Sequence, residues 1–441
     1  MEDTDIEILK EQLKKSKNGG IAQSIENCRM VVQEDDFLNG LVRLNLLSSK
    51  MQVCKEVPWS RNGTSMTDND LNNILSYMSE KYDLCNDRLC RRAVTMAAYE
   101  NSFHPIRNFL DMLIWDGTER IQHALHHFLG APDDELTGEC MKMFMMGALS
   151  RVYQPGSKFE YVLTLIGGQG AGKSTFFRLL SIRDEWFTDD LVDFKSSRIY
   201  EKISGHWIME MSEMLAIMNS KRAEEAKSFI SRQSDAYREP YATFSEDRPR
   251  QCVFGATTNR QKCLPFDRTG NRRFLPIAVD MEKAETHILE KEDEAREYIR
   301  QMWAEAMTIF REKRYSLHFP RKIERQLERL RQEYMPEDTA AGLIQTYLED
   351  YKGDYVCTAQ LYKEALHNIG EPNRIESNEI NDIMRNCVPD WMQGPQHRFA
   401  EYGRQRSWIR VNVDCQQNDS KSMTQLGFVE IPETEQLPFE E

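Results

Sequence analysis

Apolar residues recur along this chain at two different periods, and the switches between them set the expected order of elements. An early polar stretch, residues 6–14, reads as a short helix broken at Gly19-Gly20, so residues 1–28 are expected as a flexible leader. Residues 39–58 read as a short strand-like passage. Leu71, Ile74, Leu75 and Met78 then recur at helical spacing behind Thr67-Asp-Asn-Asp, which supplies capping side chains. A second helix covers residues 87–100, and a third, rich in methionine, covers 132–152. Its Met141, Met143, Met145 and Met146 read as core packing rather than as a binding groove. Four β-favouring runs follow, at 161–166, 206–213, 252–259 and 274–279. Residues 284–313 and 321–334 are helical with mixed-sign charge, the pattern of a solvated face. Three short helices, 342–351, 358–368 and 377–386, precede a hairpin at 396–410. The expected domains are therefore 29–130, mostly helical; 131–283, an α/β core; 284–337, a helical connector; 338–412, a small separate domain; and 413–441, an acidic disordered tail.

Charge changes this picture only locally. The net charge of −14 argues against a nucleic-acid partner for the chain as a whole. Residues 248–273, however, hold seven Arg or Lys against Asp267 alone, and the hairpin holds Arg398, Arg404, Arg406 and Arg410 against Glu401. No apolar run approaches the ~18 residues that span a bilayer, and the acidic N-terminus resembles no export signal, so a cytoplasmic protein without membrane contact is expected. The ten cysteines include no Cys-x-x-Cys pair, and reduced, mostly buried thiols are the default.

The chemistry centres on Gly167-Gly168-Gln169-Gly170-Ala171-Gly172-Lys173-Ser174-Thr175. It follows a strand and opens a helix, the context a phosphate-binding loop requires. Glycines let backbone N–H groups turn toward phosphate oxygens, and the helix dipole adds to the attraction. Lys173 is suited to the β and γ phosphates of ATP and Ser174 to Mg²⁺. The next strand ends in Glu210 and Glu213, acids that can hold the metal and polarise the attacking water; the sequence does not apportion these roles. Asn259, at the tip of the third strand, can bond the γ-phosphate or the water. Arg272 and Arg273 precede the last strand, and arginine stabilises a transferring phosphoryl group, from a neighbouring subunit if need be. Lys227, Arg232, Tyr237 and Arg238 read equally as a loop tracking a sugar–phosphate strand and as a plain surface turn. His104, just before Pro105, reads as structural.

Taken together these residues resemble the virulence-associated protein E family of phages and mobile elements, itself similar to superfamily 3 helicases of the AAA+ class. The resemblance runs over residues 35–280 and rests on Phe103-His-Pro-Ile, Trp115-Asp-Gly, the glycine loop, Trp207-Ile-Met-Glu-Met-Ser-Glu213, Asp235-x-Tyr-Arg-x-Pro-Tyr241, Thr257-Thr-Asn259 and Gly270-Asn-Arg-Arg-Phe274. It implies an α/β P-loop AAA+ core; the region ahead of it reads from its own pattern as an N-terminal helical domain, and the three short helices with the hairpin read as a C-terminal winged-helix-like domain. It further implies Glu210 and Glu213 as the Walker B acids, Asn259 as sensor, Arg272 or Arg273 as arginine finger, and Lys227 to Arg238 as the region approaching single-stranded DNA. The chain departs from the family at Leu275, where an aromatic is usual. It also has no carboxylate cluster of a primase ahead of the core, so a separate priming protein is expected. The function implied is an ATP-dependent helicase or replication initiator, working as a homo-oligomeric ring, expected as a hexamer, on single-stranded and duplex DNA, with Arg404 and Arg406 on the duplex. The alternatives are a nucleotide-switched DNA-binding regulator or assembly ATPase without unwinding, and a small-metabolite kinase.

Overall fold

The structure, a computed structural model, describes residues 3–191, 199–212, 220–237, 246–264 and 271–411. Two compact units divide the chain, one carrying the described residues up to Met335 and the other beginning at Pro336.

Helices α1 (Asp3–Gln12) and α2 (Ile25–Glu34), the hairpin β1 (Val42–Asn45) with β2 (Lys50–Val53), and helices α3 (Asp68–Tyr82) and α4 (Asp87–Glu100) begin the first unit. The expected flexible leader is instead docked: Ile6, Leu9 and Leu13 are buried with Val31, Ile74, Met78 and Tyr82 in one apolar cluster. Three apolar residues at helical spacing are enough to seat a short helix, and the polar residues between them hid the pattern. The helix predicted at Thr67 is present, with a reciprocal capping box between Thr67 and Asp70.

Helices α5 (Pro105–Asp111), α6 (Ala124–Leu129) and α7 (Glu135–Tyr153) lead to the central sheet. Its strands are β3 (Val162–Ile166), β4 (Phe187–Thr188), β5 (Ile208–Ser212), β8 (Val253–Thr258) and β9 (Phe274–Ala278), all parallel, in the order β4-β5-β8-β3-β9. Between β5 and β8 a separate antiparallel pair forms, β6 (Ser234–Tyr237) with β7 (Glu246–Pro249). Helices α8 (Lys173–Leu180), α9 (Ile199–Ile203) and α10 (Ser220–Ile230) connect the strands. Alternation along the strands divides the buried residues between the two faces. Leu163, Leu165, Ile208 and Ile277 pack in one apolar cluster with α7 and α8, whereas Val162, Ile166, Met209, Met211 and Phe254 pack with α9 and α10.

The helices α11 (Glu292–Arg311) and α12 (Arg321–Tyr334) are not a solvated connector. Ala295, Ile299, Met302, Trp303, Ala306 and Met307 are buried in the same cluster as the sheet, Trp303 lies 4.4 Å from the Trp207 ring, and its Nε1 donates to Leu180 O at 2.9 Å. Most charges of α11 lie outside its apolar stripe, which is the core-facing one; Glu305 is the exception, buried and accepting from Arg120 N at 2.7 Å and Ile121 N at 3.0 Å. The tip of the β1–β2 hairpin also joins the sheet region. Gln251, just before β8, donates to Leu46 O at 2.8 Å and meets His104 Nε2 at 2.6 Å, while Ser204, just before β5, donates to Ser48 O at 2.9 Å.

The second unit contains α13 (Thr339–Asp350), β10 (Tyr355–Cys357), α14 (Thr358–Gln360) continuing as a π turn over Leu361–Ala365, α15 (Arg374–Asn386), β11 (Trp391–Phe399) and β12 (Gly403–Arg410). Its sheet order is β10-β12-β11, antiparallel throughout, closed over Ile344, Leu348, Ile380, Ile383, Trp391 and Trp408.

Candidate functional site

Strand β3 ends at Ile166, and the glycine loop turns directly into α8. Gly172 caps the helix with φ +75°, a left-handed conformation that favours glycine, and a Cβ there would stand 2.5 Å from Ile288 Cγ2. Gly170 has φ +83° with open space around it. The loop is thus shaped by backbone conformation at one glycine and by close packing at the other. Gly168, Gln169 and Gly170 are exposed, Ala171 and Gly172 buried.

Lys173 is 7% exposed. Its Nζ donates to Gly167 O at 2.8 Å, Gly168 O at 2.6 Å and Asn259 Oδ1 at 3.0 Å. The ammonium is therefore held over the loop by backbone carbonyls and by the residue that follows β8. Asn259 itself is exposed, one residue past a strand whose every side chain is buried.

Glu210 is fully buried on β5, the second neighbour of β3 in the sheet. Its Oε1 accepts from Ser174 Oγ at 2.7 Å, Ser212 Oγ at 3.0 Å and Thr257 Oγ1. Its Oε2 is buried without a hydrogen-bond partner among the described residues. A carboxylate so placed costs several kcal/mol to bury unless its oxygens are matched. Three hydroxyls converge on one oxygen and none on the other, an asymmetry that leaves the second oxygen for a cation. Register places Glu210 opposite Gly255 and on the α8 side of the sheet, so Ser174, first turn of α8, reaches it across one residue of β8. Thr257 and Ser212 complete this cluster; their hydroxyls next to the strand-end acid were legible in Met-Ser and Thr-Thr-Asn but were not singled out.

Glu213 and Arg238 lie outside the described residues, and of Tyr237 only its place on β6 is described. Thr175 is half-buried on α8, one residue beyond Ser174. The arginines before β9 are not brought to the loop. Phe274 pairs with Val162, at the start of β3, whereas the loop leaves from its end. Five residues at about 3.3 Å each put roughly 15 Å of strand between them. Arg272 and Arg273 share Glu160, at 3.1 and 3.5 Å, and Arg273 also donates to Ser231 Oγ at 2.9 Å. Of the two, Arg272 is the more open to solvent, 64% against 21% at the side chain.

The basic segment divides. Lys227 is buried on α10, unlike the open nucleic-acid surface expected of it. Arg232 is exposed and pairs with Asp235 at 3.5 Å. Arg250, not singled out by sequence, is buried against Asp235, donating from Nη2 at 3.0 Å and stacking over Phe229 at 4.2 Å, and so anchors the base of the β6–β7 pair. In the second unit Arg404 and Arg406 are both exposed on β12. His104 caps α5, its Nδ1 accepting from Arg107 N at 3.2 Å, and burial pushes its pKa down to about 4. It is structural, as its position before Pro105 suggested.

A five-stranded parallel sheet, a strand–glycine loop–helix passage and a buried carboxylate beside the helix start define the class: an α/β protein with a P-loop-like core. The sequence profile of the virulence-associated protein E-like domain matches residues 110–336, more than half of the chain, and the chain belongs to that family. The match begins at residue 110 rather than at the expected 35, and it reaches through α11 and α12 to residue 336, beyond the expected 280. Two solved structures of the NrS-1 C-terminal region (305–718) are similar, the apo structure at 12% identity and TM-score 0.47, and its A form at 11% and 0.46. In both cases 84% of this chain and 96% of the other are covered. No curated protein matches the chain. Among the described residues no helix is long and apolar enough to cross a membrane.

Proposed function

We propose that this protein is an ATP-dependent DNA helicase or replication initiator of a phage or other mobile element. The observation that carries the proposal is the buried Glu210, its Oε2 without a partner among the described residues, one hydrogen bond from Ser174 at the foot of the glycine loop. A hydroxyl and an orphaned carboxylate oxygen are hard donors that fit Mg²⁺. Mg²⁺ would be held by Ser174 and Glu210 and, when bound, would neutralise charge on the β and γ phosphates of ATP.

The remaining residues act around that pair. Backbone N–H groups of residues 167–172 and of Lys173, Ser174 and Thr175 cradle the phosphates. Lys173 exchanges its carbonyl partners for phosphate oxygens and stays aligned by Asn259, which senses the γ-phosphate. Glu213 polarises the attacking water. The strand order, with the glycine loop on β3, the acid on β5 and the asparagine on β8, supports an AAA+ core of the superfamily 3 type. Arg272 and Arg273 stand at the wrong end of the sheet for their own nucleotide, which supports a finger acting on the nucleotide of the next subunit in a ring, a hexamer in this reading. Arg272, the more exposed, is the one suited to it.

DNA contact falls to two places. The β6–β7 pair lies in sequence between the acid-bearing and asparagine-bearing strands, and Arg232, Tyr237 and Arg238 in and beside it are the candidates for single-stranded DNA. The order of helices and strands in the second unit supports reading it as a winged helix, with Arg404 and Arg406 on the wing for duplex. The exposed face of α15 mixes Glu379 and Asp382 with Arg374 and Arg385, so the wing carries the positive charge. A separate protein supplies priming. The test is ATP turnover with and without DNA, together with displacement of a labelled strand from 5′- and 3′-tailed duplexes. DNA-stimulated hydrolysis with displacement is expected. Hydrolysis indifferent to DNA sinks the reading, and stimulation without displacement reduces it to a nucleotide-switched DNA-binding protein.

A further inference from the structure

The sheet of the second unit has two faces of different chemistry, one packed on the apolar core and the other, over the buried Cys357 and Ser407, carrying aromatic rings. Along β12, Arg404, Arg406 and Trp408 fall on one side, with Arg398 paired to Arg404 across the hairpin. Trp408 is buried on that side with Val356 and Trp391, while the three arginines run past the edge of the core and are exposed. Arg410 differs: it is turned inward, donating to Leu348 O at 3.1 Å and lying over Trp391 at 5.0 Å.

The other side carries aromatic rings. Tyr355 of β10 is opposite Ile409, and His397 and Phe399 of β11 are opposite Gln405 and Gly403. Tyr355 and His397 stack with centroids 4.4 Å apart and planes 6° from parallel, and Phe399 meets His397 edge-on at 5.0 Å. Met392, on the same side, is 58% exposed, Tyr355 37%, and His397 is exposed.

A partner for this hairpin must be anionic on one flank and offer flat apolar groups on the other. Residues 391–410 hold four arginines against Glu401, in a chain whose net charge is −14. An unpaired nucleotide strand has both properties, since every base presents a π face and every link a phosphate. A duplex end alone satisfies the arginines but leaves the rings without bases to meet.

We propose that the wing is two-sided: Arg398, Arg404 and Arg406 follow the backbone of a duplex, and Tyr355, His397 and Phe399 stack the first unpaired bases beyond its end. The C-terminal unit is then a reader of junctions between double and single strand. This deepens the duplex-binding reading of Arg404 and Arg406 and rests on it.

The test uses the full chain and fluorescence anisotropy at one fixed salt concentration, on a duplex with and without an oligo-dT tail. A second substrate carries 2-aminopurine at the first unpaired position. Wild type is expected to bind the tailed duplex about ten-fold more tightly than the blunt one and to change the 2-aminopurine emission. Tyr355→Ala and His397→Ala lose most of that preference and leave blunt-duplex affinity unchanged, Tyr355→Phe keeps it, and Arg404→Ala with Arg406→Ala weakens both substrates. If the arginine variant is weakened while the aromatic variants match wild type, the stacking proposal is overturned and the duplex reading stands. If the arginine variant also matches wild type, both fall. Unchanged 2-aminopurine emission in wild type overturns the stacking proposal without recourse to any variant.

Discussion

Lys173, Glu210 and His104 are all buried, and each illustrates a different use of burial. Lys173 is held by carbonyls that phosphate oxygens can replace, so Lys173→Ala is expected to lower ATP turnover about a hundred-fold or more, measured as phosphate release; undiminished release contradicts its role. Glu210→Gln keeps the size of the side chain and removes the charge that suits a cation. Hydrolysis should fall by a similar factor, while nucleotide titration followed by calorimetry still registers binding. His104 is held neutral, its pKa lowered from 6.5 to about 4 by burial. Below 6.5 the unfolded chain takes up a proton that the folded one refuses, so stability is full above that pH and declines as pH falls toward 4. The loss amounts to on the order of 3 kcal/mol. Denaturant titrations between pH 4 and 7 should display this slope, and His104→Asn, which keeps an acceptor at the helix cap, should flatten it. Lys173 and Glu210 were legible because loop and strand motifs are local. Lys227 was misplaced because a basic residue carries no mark of the helix face it occupies, and for the same reason Arg250 was read only as one of the seven basic residues of 248–273.

At the scale of elements, local signals succeeded where one face is apolar and the other polar over several turns. The helix capped by Thr67 is of that kind, whereas β3, β5, β8 and β9, buried on both faces, stood out as short continuous apolar runs. Helix α11 is the instructive exception. Its acids and arginines gave the pattern of a solvated face, yet Trp303 is fully buried against Trp207 and bonded to Leu180 O. Trp303→Ala should cost about 3–5 kcal/mol of stability, read as a lowered denaturation midpoint; a change below 1 kcal/mol would mean that α11 is not seated on the sheet. Helix α1 failed for a related reason, since Ile6, Leu9 and Leu13 are too few to stand out in a polar stretch, and it is α3 and α2 that give them a surface to cover.

Across the whole molecule, the separation of Arg272 and Arg273 from the glycine loop is the fact with the widest reach. Neither of the two is brought to the glycine loop of its own copy; in the proposed ring, one of them would serve the nucleotide of the neighbouring copy. Mixing Arg272→Ala subunits with Lys173→Ala subunits should restore part of the ATP turnover that each lacks, because some interfaces then pair an intact loop with an intact arginine. No rescue for either arginine counts against a shared site. Removing residues 338–441 should weaken duplex binding more than basal hydrolysis; the reverse outcome would assign that unit to the core instead.

The chain alone determined whatever depends on neighbours in sequence: the glycine loop, the strand that precedes it, the acid and asparagine at strand ends, and the basic hairpin near the C-terminus. Conformation over a few residues follows from backbone sterics and side-chain periodicity, which are written locally. Tertiary structure decided which charged residues face solvent, which helices join the core, and at which end of the sheet each cation stands. Those outcomes depend on surfaces contributed by residues a hundred or more positions away, and the free energy of burying them has no expression until the chain has closed.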